Sequence, residues 1–454
     1  MGIEEVEPVE IRAVSKQRFK AHVVWARGPG GLPPIKEVEW LEIEPARVFG
    51  TIFLDLTDQD LHSAVIAPDL AERYRGVDIL QDHASIREAV DRTAASMVRV
   101  HNDYDNKRAQ GDEKPPVDFF AKVAKENKLH ERFKYLRDSP RAIAAKRLIE
   151  VAMRWYENQD GSYIEQFQTT GFDARVWELY VWAVLREAGH KVEQPMPAPD
   201  FLARSIVGDF YVEATTSNPP PTNQVVPLPT TEEDIFEYVH NYLPTRFSGR
   251  LREKLKDKGY WTREGLDLTI PFVIAIQDFH YPLSMTWSQS ALYEYLYGVR
   301  IEDVEIDGKM QRVEVPVAQI KWGAKEFSSG FFKLPDSEHV SAVAFNAAGT
   351  LTKFNRIGIA AGMGDPSVVV KHEGRRFSKD NTGVEEAFAQ MVTPGYEEDW
   401  TDGFTVFHNP NALNPLPFEA FPGAAHVFEE DALRKQVFPA GHLVSSTTKI
   451  VSHQ

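Results

Sequence analysis

The sequence predicts a soluble multidomain α/β protein, α+β overall. It has a mixed β-sheet core flanked by helices, an N-terminal α+β module and a β-leaning C-terminal region. Three observations carry this reading. Residues 171–186 (GFDARVWELYVWAVLR) set Val176, Leu179, Tyr180, Ala183 and Val184 at helical spacing. Residues 271–277 (PFVIAIQ) form an unbroken apolar run bounded by proline, the pattern of a strand covered on both faces. Between them lie two extended arms around a turn at Gly208-Asp209. Helix, hairpin, helix and strand therefore follow one another in a single stretch.

The chain has 454 residues, enough for two or three domains with a sizeable core. No apolar run approaches bilayer length, and the acidic start MGIEEVEPVEIR lacks the apolar stretch of a secretory signal. Val6 stands where a myristoylation motif needs Ser or Thr. Cysteine is absent, which removes disulfides, thiolate nucleophiles and Cys-bound zinc. A cytoplasmic protein without a membrane partner is expected. The net charge of −16 counts against nucleic-acid binding, which is usually read from a basic face. Local basic grooves and metal-neutralised carboxylates remain compatible with it. The two basic clusters, 246–258 (RFSGRLREKLKDK) and 371–379 (KHEGRRFSK), read as solvated faces.

The N-terminal module spans 1–115. Residues 22–25 read as an extended arm, 28–34 as a loop and 48–55 as a buried strand. Asp55, Asp58 and Asp60 at its end fit turn and cap roles better than a calcium loop. Segments 64–67 and 74–78 suggest a hairpin. Ser85 and Glu88 form a capping box that opens a helix to about His101. His22, His62 and His101 show no ligand spacing. A polar linker ends at Pro115-Pro116. A helical connector (116–165) then carries helices over 117–136 and 139–158, the second opened by Ser139-Pro140.

The core is assigned to 166–300. Gly189 is the expected left-handed cap of its first helix. Asn218-Pro219-Pro220-Pro221 stops the hairpin's second arm, helices follow over 231–242 and 248–258, and another runs from Ser290 to Tyr297. Residues 301–454 form a β-rich extension of the core, with strands at 340–345, 368–370 and 405–407. Phe354-Asn355-Arg356 reads as packing or capping rather than a phosphate contact, and His408-Asn409-Pro410-Asn411 lacks the second histidine and ββα-metal pattern of an HNH element.

The chemistry concentrates in 167–218. Glu178 lies mid-helix, Asp200 starts one arm of the hairpin, and Glu213 sits inside the other. Val212 and Ala214 flank Glu213, and a carboxylate in such surroundings is costly unless a cation or donor meets it. The order Glu178, Pro199-Asp200, Glu213 resembles the PD-(D/E)xK, or restriction-endonuclease-like, nuclease superfamily over roughly 165–280. That family has a helix bearing a Glu, then a hairpin bearing Pro-Asp and Glu-x-Lys. The resemblance implies a restriction-endonuclease-like core and Mg²⁺-dependent cleavage of phosphodiester bonds, with Mn²⁺ able to substitute. The substrate would be nucleic acid, DNA first, in a setting such as bacterial defence or repair. Asp200, Glu213 and the carbonyl of Ala214 would ligate the metal, and Glu178 would complete or orient the site.

The sequence departs from the family at Thr215, which stands where the lysine belongs. Three accounts stay open. A lysine arrives from the next helix, Lys254 foremost with Lys258 and Arg250 behind it; Gln277 positions the water; or the site is inactive and binds nucleic acid or a protein partner without cutting. A homo-oligomer is also compatible with the sequence.

Overall fold

The computed structural model describes residues 9–26, 35–43, 45–115, 117–157, 161–218, 226, 228–256, 259–279, 285–306, 308–380 and 383–452. The protein is α+β. In the N-terminal module, strands Ile35–Ile43, Val48–Asp55, Leu61–Pro68 and Tyr74–His83 form an antiparallel meander, with Ile11–Ala13 paired at one edge. Helix Ile86–Asn102 closes one face, burying Ala89, Met97 and Val100 against Val48, Ile52 and Val65. Ser85 accepts from the Glu88 N–H at 3.2 Å, and the Glu88 carboxylate accepts from the Ala84 N–H at 2.9 Å. The expected extended arm at 22–25 is instead the end of helix Lys16–Val23 and a 3-10 turn, Val24–Ala26. Ser15 caps that helix through the Arg18 N–H, and burial of Phe19, Ala21 and Val23 outweighs the β preference of Val23-Val24.

The connector is less helical than expected. Its first helix starts only at Glu131 (Glu131–Asp138), because the segment before it is pinned as irregular chain. The Gln168 amide donates to the carbonyls of Phe119 and Ala121 at 2.9 and 2.6 Å. The second is helix α1 (Ile143–Ala152), preceded by a 3-10 turn over Pro140–Ala142.

The central sheet has eight strands whose spatial order is their order in the chain. They are β1 (Lys191–Glu193), β2 (Phe201–Ser205), β3 (Gly208–Ser217), β4 (Phe272–Asp278), β5 (Ala342–Phe345), β6 (Thr405–His408), β7 (Ala425–Glu430) and β8 (Leu433–Val437). β3, β4 and β5 run parallel, as do β6 and β7; the other neighbours are antiparallel. The C-terminal region thus supplies half of the strands of one sheet. Helices α1, α2 (Phe172–Glu187) and α5 (Leu351–Ala360) cover one face; α3 (Leu243–Leu255) and α4 (Met285–Tyr297) cover the other. Strand β4 alternates accordingly, with Val273 and Ala275 toward α2 and Phe272, Ile274 and Ile276 toward α3.

The helices expected over 231–242 and 248–258 are one rod. Glu232–Glu237 continues through a π turn, Tyr238–Tyr242, into α3. Pro244 has no N–H to give to the preceding turn, and the widening lies just before it. The 231–255 stretch therefore has no break at Pro244 for a second helix to start from.

α1 and α5 touch at Gly358, where an added Cβ would lie 2.5 Å from the Ala144 carbonyl oxygen. Gly358→Val should force the helices apart and cost about 2–3 kcal/mol, as overpacked cores do. Urea titration checks this; a midpoint matching the parent chain would refute the close approach.

Candidate active site

Strand pairing brings Asp200 and Glu213 together. Phe201 pairs with Val212, so the register continued by one step sets Asp200 opposite Glu213. The Asp200 Oδ2 accepts the Ala214 N–H at 2.7 Å and so replaces a backbone partner where β2 begins. Leu202 and Tyr211 belong to the α3 side of the sheet, Phe201 and Val212 to the α2 side. Alternation therefore turns Asp200 and Glu213 toward α3.

Lys254, in the last turn of α3, donates from Nζ to the Glu213 Oε1. Both side chains are largely buried, at 15% and 13% exposure. The apolar flanks of Glu213 thus do come with a cation. Thr215 lies two residues further along the same face, half-buried and paired with Ile276. Arg250 pairs instead with Glu253 at 3.3 Å on the exposed side of α3. Lys258 lies outside the described residues.

Glu178 approaches from α2 and is buried. Its Oε2 accepts from Arg175 at 2.6 Å and its Oε1 from the Tyr156 hydroxyl, which in turn accepts from the Gln194 amide at 3.0 Å. The Asp200 carboxyl is raised well above the ordinary carboxylate range, first by burial, then by the charges of Glu178 and Glu213. The Ala214 N–H and Lys254 oppose this. Glu178, Asp200, Glu213 and Lys254 are thereby one electrostatic group. Arg175 pairs with Glu178 and Lys254 with Glu213, while Asp200 is met by the Ala214 N–H. Asp200 and Glu213 thus present oxygen donors of the kind a hard cation takes.

The three carboxylates are more widely spaced than a closed ligand cluster. Among the described residues, the triads with ligand atoms within 4.8 Å of one another are Asp55, Asp58 and His62, and Asp336, Glu338 and His339. In the first, Asp55 and Asp58 accept the N–H groups of Thr57 and Asp60 at 2.8 and 3.1 Å, which are the turn roles expected of them.

Gln277 is not brought to the carboxylates, a correction to its water-positioning role. It pairs with Thr216, so alternation points it to the face opposite Glu213. Its amide nitrogen donates to the carbonyl of Asn346, and its oxygen accepts from the Asp278 N–H at 2.9 Å. Tyr156, Gln194 and Arg263, which donates to the Ala198 carbonyl at 3.0 Å, adjoin the site without any motif to mark them. Arg246, Arg250, Arg252 and Lys254 of the 246–258 cluster are each engaged. Arg246 donates to the Asn218 carbonyl, and Arg252 to the Tyr295 hydroxyl and the Ser328 carbonyl at 3.1 and 2.9 Å. Among the described residues no helix is long and apolar enough to cross a membrane. Comparison with protein-family models, with curated proteins and with solved structures finds no match to this chain.

Proposed function

We propose that this chain is a metal-dependent phosphodiesterase of PD-(D/E)xK type that cuts nucleic acid, DNA foremost, with Lys254 serving in place of the lysine absent at Thr215. One observation carries the reading: Lys254 meets Glu213 beside Asp200, on the face where strand alternation turns both acids. The order of α2, the β2–β3 hairpin, α3 and the parallel strand β4 supports a restriction-endonuclease-like core.

Asp200 and Glu213, with the Ala214 carbonyl, would hold Mg²⁺ or Mn²⁺. Such an ion, when bound, neutralises phosphate charge and makes its water more acidic. The chain's own residues do the rest. Lys254 offers positive charge to a phosphate at the hairpin end, and its pairing with Glu213 holds it there before substrate arrives. Arg175 and Tyr156 fix Glu178 on the α2 side, so that its charge acts on Asp200 from one direction. Action in the cytoplasm, in defence or repair, belongs to the same proposal.

Lys254→Ala should lower Mg²⁺-dependent cleavage of plasmid DNA roughly a hundredfold, the scale of losing one preorganised charge, with circular dichroism unchanged. Undiminished cleavage would remove Lys254 from the chemistry and leave it a structural ion pair. A second reading, a nuclease-like protein that binds nucleic acid or a protein partner without cutting, is favoured by the saturation of Glu178 by Tyr156 and Arg175. It requires retention of DNA with no turnover in either Mg²⁺ or Mn²⁺.

A further inference from the structure

The N-terminal module meets the helical layer at a cleft of about 420 Å³, within the range of small-molecule sites. Arg18, His22 and Tyr74 line it from the module, and Arg147, Glu150 and Arg154 from the layer. His22 is 8% exposed, and neither ring nitrogen has a hydrogen-bond partner. Burial, then the charge of Arg18, lowers its pKa to about 3. The ring is therefore neutral and offers one donor and one acceptor. Buried polar groups are rarely left in that state without a ligand or water to meet them.

The charges in the cleft are unequally committed. Arg18 is engaged by both oxygens of Glu42, at 2.6 and 2.5 Å, and by the Ala361 carbonyl at 2.9 Å. Arg147 gives one N–H to the Met363 carbonyl at 2.9 Å. Among the described residues, Arg154 and Glu150 make no hydrogen bond or ion pair, although each is half-buried. Arg147 and Glu150 stand three apart on α1, Arg154 follows in the turn past its end, and all three line the cleft. Burial raises the Glu150 carboxyl, against the charges of Lys146 and Arg154.

The unpaired Arg154, the partly engaged Arg147, the Glu150 carboxyl and the neutral His22 imidazole line a single cleft, in which Glu72 is drawn off to Arg108. We propose that this cleft binds a small phosphorylated ligand of mononucleotide size. Its phosphate lies on Arg147 and Arg154, and its hydroxyl or amine donors on Glu150, with the His22 ring beneath them. The ligand would bridge the module and the layer. This site is separate from the carboxylates of the β2–β3 hairpin and does not depend on their activity.

Calorimetric titration of the full chain with AMP, ribose 5-phosphate and inorganic phosphate tests the proposal. The expected result is saturable binding of AMP or ribose 5-phosphate with Kd below roughly 1 mM, and inorganic phosphate at least about tenfold weaker. Arg154→Ala should weaken the organic phosphate about tenfold with circular dichroism unchanged. Glu150→Gln, which keeps the shape of the cleft, should weaken it less. Absence of saturable binding by both sugar phosphates overturns the proposal. So does affinity unchanged in Arg154→Ala, or inorganic phosphate binding as tightly as AMP.

Discussion

Asp200→Asn should sharply lower metal-dependent cleavage while making the metal-free protein more stable at neutral pH. Asn is the informative replacement because its side-chain oxygen still accepts the Ala214 N–H that Asp200 accepts at 2.7 Å. The charge is removed, and the second oxygen becomes an NH2 donor. Loss of that charge from the ligand set should lower the cleavage rate by roughly a hundred- to a thousandfold, as other preorganised electrostatic groups do when deleted. The stability effect has the opposite sign. Burial and the charges of Glu178 and Glu213 raise the folded-state pKa of Asp200 above its unfolded value. Below the unfolded pKa, about 4, both states hold the proton and the group has no influence. As the pH rises from there through the folded value, the ionised carboxylate destabilises the fold increasingly. Melting midpoints in EDTA should therefore be close for the two proteins near pH 4 and separate by pH 8, with Asp200→Asn the higher. Mg²⁺ should raise the parent midpoint by mass action and leave the variant where it was. A parent protein indifferent to Mg²⁺ in both melting and cleavage would sink the metal site, and with it the nuclease reading.

What could be read from the chain beforehand divides along a physical line. α2, β3 and β4 were legible because their burial is one-sided or complete, and so leaves a period in the sequence. Val273 and Ala275 face one layer and Ile274 and Ile276 the other, and an unbroken apolar run is what such a strand requires. The 22–25 segment misled because Val23-Val24-Trp25 carries a β-type composition, while its partners lie far away in the chain. Trp25, for instance, stacks on Trp182 at 4.9 Å. Glu213 was marked by its apolar flanks, and Lys254 by the spacing of the helix that follows. Tyr156 could not be found, because its partner Glu178 is set by tertiary packing and no spacing joins them. Gln277 looked available because it ends a central strand, but its face is fixed by its pairing with Thr216, which sequence alone does not give.

A second large effect is expected far from the carboxylates, at the buried Arg356–Glu398 pair that fastens α5 beneath the C-terminal region. Arg356 donates from Nε and from a terminal nitrogen to the two Glu398 oxygens at 2.7 and 2.6 Å, with both side chains only 2% exposed. It also donates to the Thr448 hydroxyl at 2.6 Å, and so ties in strand Leu443–Ser452. Lys353 stands 3.3 Å from the same carboxylate and donates to the Asp402 carbonyl at 2.9 Å. Arg356→Met keeps much of the volume and removes the main cation, which should cost about 3–5 kcal/mol because Glu398 is left buried and under-compensated. The double replacement Arg356→Met, Glu398→Leu should recover most of that loss, since it removes the stranded charge as well. The acid limb gives an independent check. Burial alone would raise the Glu398 carboxyl, but Arg356 and then Lys353 hold it well below the ordinary range. Its stabilisation is therefore complete above the unfolded carboxylate pKa and lost as the pH falls below about 4. Asp402, pushed up to about 7 by burial, acts in the other sense and weakens the fold as the pH rises through that value. Urea midpoints at pH 4 and pH 6, compared between parent and variant, report the Glu398 contribution, because the other carboxyls are common to both. Arg356→Met should narrow the gap between them, because the Glu398 carboxyl rises once its nearest cation is gone. A loss under about 1 kcal/mol, typical of an exposed ion pair, would show that the pair is not the fastening described.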